Sequence, residues 1–290
     1  MLFRSASLGA QGYLLGATDG RRLGLFSALY NWGFTLGGAL GSHMAGWILD
    51  SRGYRTFAIA LLAVGGLNAL LAVLSMPRLV SSEVADAATH FRTALAGYVN
   101  LLRQPRVRRL SWLRFLPTCY YGMSLVLIPL FIHAQTGTKT AVAVFVTVSQ
   151  VVATLAQLAV GSLADRFGPR LPTLGMTALV AVAGFGIAGA REWLSGLVVF
   201  GVLGAAAAWS LSTLMPMLVA DTAYCHEHGR VLGALSLVWN LAMILSTMVG
   251  GALAEVHKGL PFAIAGLLNI VSLVVGFRFF GGAGRPRALD

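Results

Sequence analysis

GRRLGLFSALYN at residues 20–31 and GRVLGALSLVWN at residues 229–240 are two copies of one segment, 209 residues apart. Gly20, Arg21, Leu23, Gly24, Ser27 and Asn31 recur as Gly229, Arg230, Leu232, Gly233, Ser236 and Asn240. At the same shift Gly41 meets Gly250, and after a loop four residues shorter FAIA at 57–60 meets FAIA at 262–265. Two apolar helices therefore recur as a pair, each pair entered by a basic turn. Four more apolar segments lie between the copies, so the unit that repeats is six helices long, and the first unit is expected to lack its beginning.

The composition places these helices in lipid. Of the 290 residues 57% are hydrophobic and 11% charged, against about 25% charged in a soluble domain. Too few charges remain to wet a soluble surface, which excludes an ordinary soluble enzyme, a disordered chain and a nucleic-acid module. A hydrocarbon core about 30 Å thick needs about 20 apolar residues in a helix. That length recurs near 22–47, 56–75, 109–133, 139–163, 171–190, 194–219, 231–254 and 260–280. The expected fold class is all-α, a polytopic membrane protein with eight transmembrane helices. Cys119 and Cys225 are too few for a disulfide framework and are expected as free thiols.

The net charge of +11 reads as topology. With the first connection placed outside, fifteen of the 21 Lys and Arg fall on the inside. Arg52, Arg55, Lys139, Arg191 and Lys258 fall outside, and Arg4 is unassigned. That bias is the positive-inside pattern. It puts both ends of the eight-helix block in the cytoplasm, and a missed helix would scramble the alternation. The expected partners are membrane lipid, anionic headgroups included, and no nucleic acid.

GSLADRFGPR at 161–170 joins the fourth and fifth spans. It resembles the cytoplasmic loop signature of the major facilitator superfamily, Gly-x-Leu-x-Asp-Arg-x-Gly-x-Arg, in its second-half copy. Gly161, Asp165, Arg166, Gly168 and Arg170 match, and Pro169 stands where a basic residue is usual. Gly161 and Gly168 suit a tight turn, and Asp165 can accept hydrogen bonds from the N-terminus of a neighbouring helix. GFTLGGALGS at 33–42 is similar to the family's antiporter signature, Gly-x-x-x-Gly-Pro-x-x-Gly-Gly, with Gly38 in place of Pro and Ser42 in place of Gly. Gly33, Gly37 and Gly41 strip one helix face and are expected to allow close helix packing; the same seam occurs in membrane helices with no exporter role.

The resemblance covers nearly the whole chain and implies the end of helix four through helix twelve of a twelve-helix transporter. It divides the chain into 1–75, a remnant of the N-terminal half; 76–108, a cytoplasmic linker; 109–281, the C-terminal six-helix half; and 282–290, a cytoplasmic tail. In the linker Phe91, Leu95, Tyr98, Val99 and Leu102 share a face, and Pro105 ends the helix. The fold implies a plasma membrane location (bacterial inner membrane), alternating access, and a substrate site near the midplane between the halves.

Half a helix deep stand Asn31 and Trp32, their counterparts Trp239 and Asn240, Tyr120 and Tyr121, Gln150 and Trp209. These side chains hydrogen-bond while offering apolar area, which suits a neutral or amphipathic ligand. Each has a structural alternative: Asn and Gln as interhelical glue, Trp and Tyr as packing. Gln157 is nearer the cytoplasmic end and ranks lower. Arg114 either faces the cavity or snorkels to the interface, and Arg4 falls on the helix whose start is missing. Arg21, Arg22, Asp165 and Arg166 are expected to meet as a cytoplasmic gate.

The leading reading is a secondary transporter of small organic molecules, an exporter. Alternatives are an uptake transporter of the same fold and an incomplete chain that inserts without transporting. No carboxylate lies deep in any span, so protons or another coupling ion would need a group elsewhere. The chain is not expected to be an enzyme: Cys225, His226, Glu227 and His228 are adjacent and poorly spaced for one metal. No cofactor is implied, and substrate, direction and oligomeric state are not encoded in any motif.

Overall fold

A computed structural model describes residues 22–75, 97–98, 100–224 and 227–281. Arg4, Arg21, most of the 76–108 linker, Cys225, His226 and the 282–290 tail lie outside the described residues. The main elements are helices α1 (Leu23–Ser75), α2 (Pro105–Thr136), α3 (Lys139–Phe167), α4 (Arg170–Ala190), α5 (Leu194–Ala220), α6 (His228–Val256) and α7 (Leu260–Gly281). There is no strand among the described residues.

Seven helical segments among them are long and apolar enough to cross a membrane, the first being Ser51–Leu71 within α1. The sequence leads one to expect eight. The difference is the start of α1, which is helical but diluted by Asn31, Thr35, Ser42, His43 and the glycines Gly33, Gly37, Gly38 and Gly41. The break expected between the first two spans is present, as a kink where two helices meet and not as a longer loop. α1 runs through it, broken at Gly53, whose φ of 75° and ψ of 179° lie where a side chain is strained. Beyond that break α1 is bare: Tyr54, Leu62 and Leu74 are more than seven-tenths exposed.

α2 to α7 form one bundle, in which α4 lies between α5 and α7, and α2 contacts α6 and α7. Its core joins Tyr120, Ile128 and Ile132 of α2 to Ile187, Leu197 and Phe262. A second cluster closes one end, where Val107, Leu110 and Leu113 meet Leu218, Val231, Leu232 and Phe279. The Phe167–Arg170 turn lies at the same end, called here the turn end. Leu101, in the short helical piece before α2, is buried in that cluster with Tyr98 and Leu102 packed on it. This segment of the linker therefore packs on the bundle, a contact the sequence pattern did not indicate.

The first part of α1 lies antiparallel along α3. Facing residues are Gly24 with Asp165, Ala28 with Gly161, Thr35 with Thr154, Gly38 with Gln150 and Gly46 with Ala143. Their numbers sum to 188 or 189, a register that holds from one end of the contact to the other. α5 backs this seam at Thr213.

Candidate functional site

The tightest point of the seam is at the turn end. A Cβ on Gly24 would stand 2.5 Å from the Gly161 carbonyl oxygen, and one on Gly161 would stand 2.6 Å from that of Gly24. Both positions therefore require glycine for the backbones to meet. Gly161 lies inside α3, so its role is close approach and not the turn expected of it. The turn belongs to Gly168, whose φ of 79° ends α3.

Asp165 stands over the first turn of α1. Its Oδ1 accepts the Gly24 N–H at 2.8 Å and its Oδ2 the Leu25 N–H at 2.9 Å. The carboxylate satisfies two of the orphan donors that open a helix and meets the positive end of its dipole. Arg22, Arg166 and Arg170 are exposed around this contact. Arg22 precedes the Gly24 and Leu25 donors in the chain, and Arg21 is outside the described residues.

Beneath this contact lies a buried polar network. Ser27 Oγ donates to the Thr213 carbonyl at 2.7 Å, and the Asn31 amide donates to the Ser27 carbonyl at 3.0 Å and to Thr213 Oγ1 at 3.4 Å. Thr213 Oγ1 donates to Gln157 Oε1 at 3.1 Å, Gln157 Nε2 reaches Thr35 Oγ1 at 3.5 Å, and the Thr35 and Thr154 hydroxyls are 2.7 Å apart. Gln157, Thr35 and Thr213 have no exposed surface. These bonds tie α1, α3 and α5 together across the seam. Gln157, ranked low by its depth, is the central member. Replacing it with leucine keeps the volume and removes two interhelical bonds, while the Thr213 hydroxyl keeps the Trp209 carbonyl and the Thr35 hydroxyl keeps the Asn31 carbonyl and Thr154; at about 0.6 kcal/mol per interhelical bond in a membrane, thermal unfolding in detergent should fall by about 3 °C. An unchanged midpoint would remove the network from the forces holding the seam.

The remaining candidates divide. Trp32 is exposed on the outer side of α1. Gln150 faces Gly38, its Nε2 3.5 Å from where a Cβ would be. A Cβ on Gly33, Gly37 or Gly41 would meet nothing, so among the described residues the expected close packing on that stripe is not made, and the real contact falls on Gly24. Tyr120 is fully enclosed in the bundle core, edge-on to Phe262. Its neighbour Tyr121, about 100° around the helix, instead meets Trp209 edge to face at 5.6 Å.

Arg114 does not snorkel. Its Nη1 donates to Ser212 Oγ of α5 at 2.9 Å, and its guanidinium lies 5.9 Å from the centre of the Trp239 ring of α6. Asn240 follows Trp239 and donates to the Ser236 carbonyl at 2.8 Å, the bond that Asn31 makes to Ser27 in the other copy. Arg114, Tyr121, Trp209, Trp239 and Asn240 are all half-buried. They form a polar and aromatic layer on the side of α2, α5 and α6, separate from the seam.

A bundle of apolar helices with so few charges, tied by interhelical polar bonds, defines an integral, multi-pass membrane protein. Residues 110–289 match the family model of the Major Facilitator Superfamily, and the chain belongs to that family. It is 30% identical over 115 residues to the quinolone resistance protein NorA of Staphylococcus aureus, covering 40% of this chain and 29% of that protein. It is 31% identical over 124 residues to the class B tetracycline resistance protein of Escherichia coli, covering 41% of this chain and 29% of that protein. The matched stretch thus spans less than a third of either relative. A crystal structure of the superfamily transporter FucP in the outward conformation shares the fold, with a TM-score of 0.57 at 17% identity over 94% of this chain and 71% of the other.

Proposed function

We propose that this protein is a secondary transporter that exports small organic molecules across a bacterial inner membrane by alternating access, with the turn end in the cytoplasm. The observation that carries the reading is the seam between α1 and α3. It is held at the turn end by the Gly24–Gly161 contact and two hydrogen bonds to one carboxylate, an arrangement of few, local and reversible contacts suited to opening as a unit. In this reading the buried network below it is the inner wall of a closed cytoplasmic gate. The half-buried layer around Arg114 and Tyr121 is where substrate is held. Arg22, Arg166 and Arg170 face anionic headgroups on the cytoplasmic leaflet.

The family is known for transporters, and the resistance proteins it resembles support export of small organic compounds over uptake. With no carboxylate deep in the described spans, coupling to protons or another ion draws on a group outside them. Expression of the chain in an efflux-deficient host is expected to lower cellular accumulation of amphipathic fluorescent compounds severalfold, and Asp165→Asn to abolish that effect. Raised accumulation would assign uptake instead. Unchanged accumulation across a broad compound panel would overturn the transport reading.

A further inference from the structure

We propose that Arg114 is an anion-recognising residue, and that the layer it heads takes organic anions bearing an aromatic ring. The proposal deepens the transport reading above and rests on it for the meaning of the ligand, while the site itself is argued from geometry.

Arg114 stands nine residues into α2, roughly 13 Å along its axis from the turn end. Arg109, five residues earlier, shows the alternative fate of such a side chain: it turns toward the end of the bundle and donates to the Arg278 carbonyl at the end of α7. Arg114 instead crosses into the space between α2, α5 and α6, where it finds one hydroxyl and one indole face. A guanidinium carries five N–H donors. Among the described residues the Ser212 hydroxyl is its hydrogen-bond acceptor, and no carboxylate pairs with it. A half-buried cation inside the bundle with only neutral partners is a costly arrangement unless an anion completes it.

The surroundings specify what kind of anion. Arg114 and Tyr121 are seven residues apart on α2 and so share a face. Trp209 lies one turn from Ser212 on α5, and its ring meets Tyr121 edge to face. A planar carboxylate suits the guanidinium fork, and an attached aromatic ring suits the half-buried rings of Trp209, Tyr121 and Trp239. A small inorganic anion would use the first part and waste the second.

The test uses the full chain in phosphatidylcholine nanodiscs, with 2-naphthoate and its neutral amide, 2-naphthamide, as probes in equilibrium dialysis. Wild-type protein is expected to bind the carboxylate about tenfold more tightly than the amide, the size of a charge-assisted pair. Arg114→Gln should erase that preference while leaving amide binding in place, which also reports that the variant is folded. Arg114→Lys, which keeps the charge but not the fork, should retain part of it and covers the case in which the glutamine variant does not fold. Equal binding of the two probes by wild type, absence of binding by either, or a preference that survives Arg114→Gln would overturn the proposal. So would displacement of 2-naphthoate by phosphatidylglycerol in the disc, which would assign the guanidinium to a lipid headgroup. Flux is read separately in cells. A preference without flux retains the site and removes the transport reading, and flux without a preference does the reverse.

Discussion

A valine at position 161 is expected to open the turn end of the molecule. The hydrogen on the Gly161 Cα is all that fits, because even a methyl there would stand 2.6 Å from the Gly24 carbonyl oxygen and 3.0 Å from the Ala28 Cβ. The obstacle on one side is backbone, which cannot rotate away as a side chain tip could. Overpacking of this kind costs about 1–3 kcal/mol, and each 1.4 kcal/mol is about tenfold in population. The measurement is thiol accessibility. With Cys119 and Cys225 replaced by serine, a cysteine at Ser27, which is 1% exposed, reports the seam just below the contact. In Gly161→Val its modification by a membrane-impermeant maleimide should rise on the order of tenfold or more. Gly24→Val should act alike, since the obstruction is mutual. Valine at Ser162, which is on the exposed side of α3, should leave the rate unchanged. An unchanged rate in Gly161→Val would show that this contact does not hold the seam.

The sequence carried the helices and the repeat because both are written in spacing, which survives without knowledge of neighbours. Ser27 and Asn31 recur as Ser236 and Asn240, and in both copies the asparagine amide bonds the serine carbonyl one turn back. What spacing does not carry is direction. Gln157 was ranked by its depth along α3, yet its position at the centre of the network follows from the face it shares with Thr154, Gly161 and Asp165, and that face is fixed by α1. Tyr120 and Tyr121 have the same depth and chemistry, and one is core while the other meets Trp209. Only the arrangement of α5 and α7 separates them. One signal was available and unused: Gly24, Ser27, Asn31, Thr35 and Gly38 form a small and polar line at spacings of three and four, as do Gln150, Thr154, Gln157, Gly161 and Asp165. Two such lines on separate helices read together as a seam.

The two copies also show how much surroundings decide. Ser27 and Asn31 are buried because α5 covers them through Thr213. Ser236 and Asn240 make the same internal bond while half-buried. Gly24 faces Gly161 and Asp165, whereas a Cβ on Gly233 would stand 2.9 Å from the Tyr98 hydroxyl, which belongs to the linker. Equivalent helices thus meet a charged turn in one copy and the aromatic Tyr98 in the other. At the turn end the described residues thus join α1 to α3 through the Gly24–Gly161 contact and the two hydrogen bonds of the Asp165 carboxylate.

Asp165→Asn should therefore loosen the same end through chemistry where Gly161→Val does so through volume. The carboxylate presents an acceptor to each of two converging N–H groups, at 2.8 and 2.9 Å. An amide presents one acceptor and one donor, so whichever way it turns, an NH2 faces the N–H of Gly24 or Leu25. The loss combines the charge at a helix N-terminus, up to about 2 kcal/mol when partly buried, with a stranded donor worth about 1–3 kcal/mol. Together these predict a rise of about tenfold to a hundredfold in modification of a cysteine at position 27. Asp165→Glu keeps the charge but pushes an extra methylene into the Gly24–Gly161 contact, and should fall between the two. Because the charge meets fixed backbone dipoles in a partly buried place, the wild-type rate should change little between low and high salt. A rate in Asp165→Asn equal to wild type, with Gly161→Val opening as expected, would leave a purely steric latch. Steep salt dependence in the wild type would shift the closing force to the exposed arginines around it.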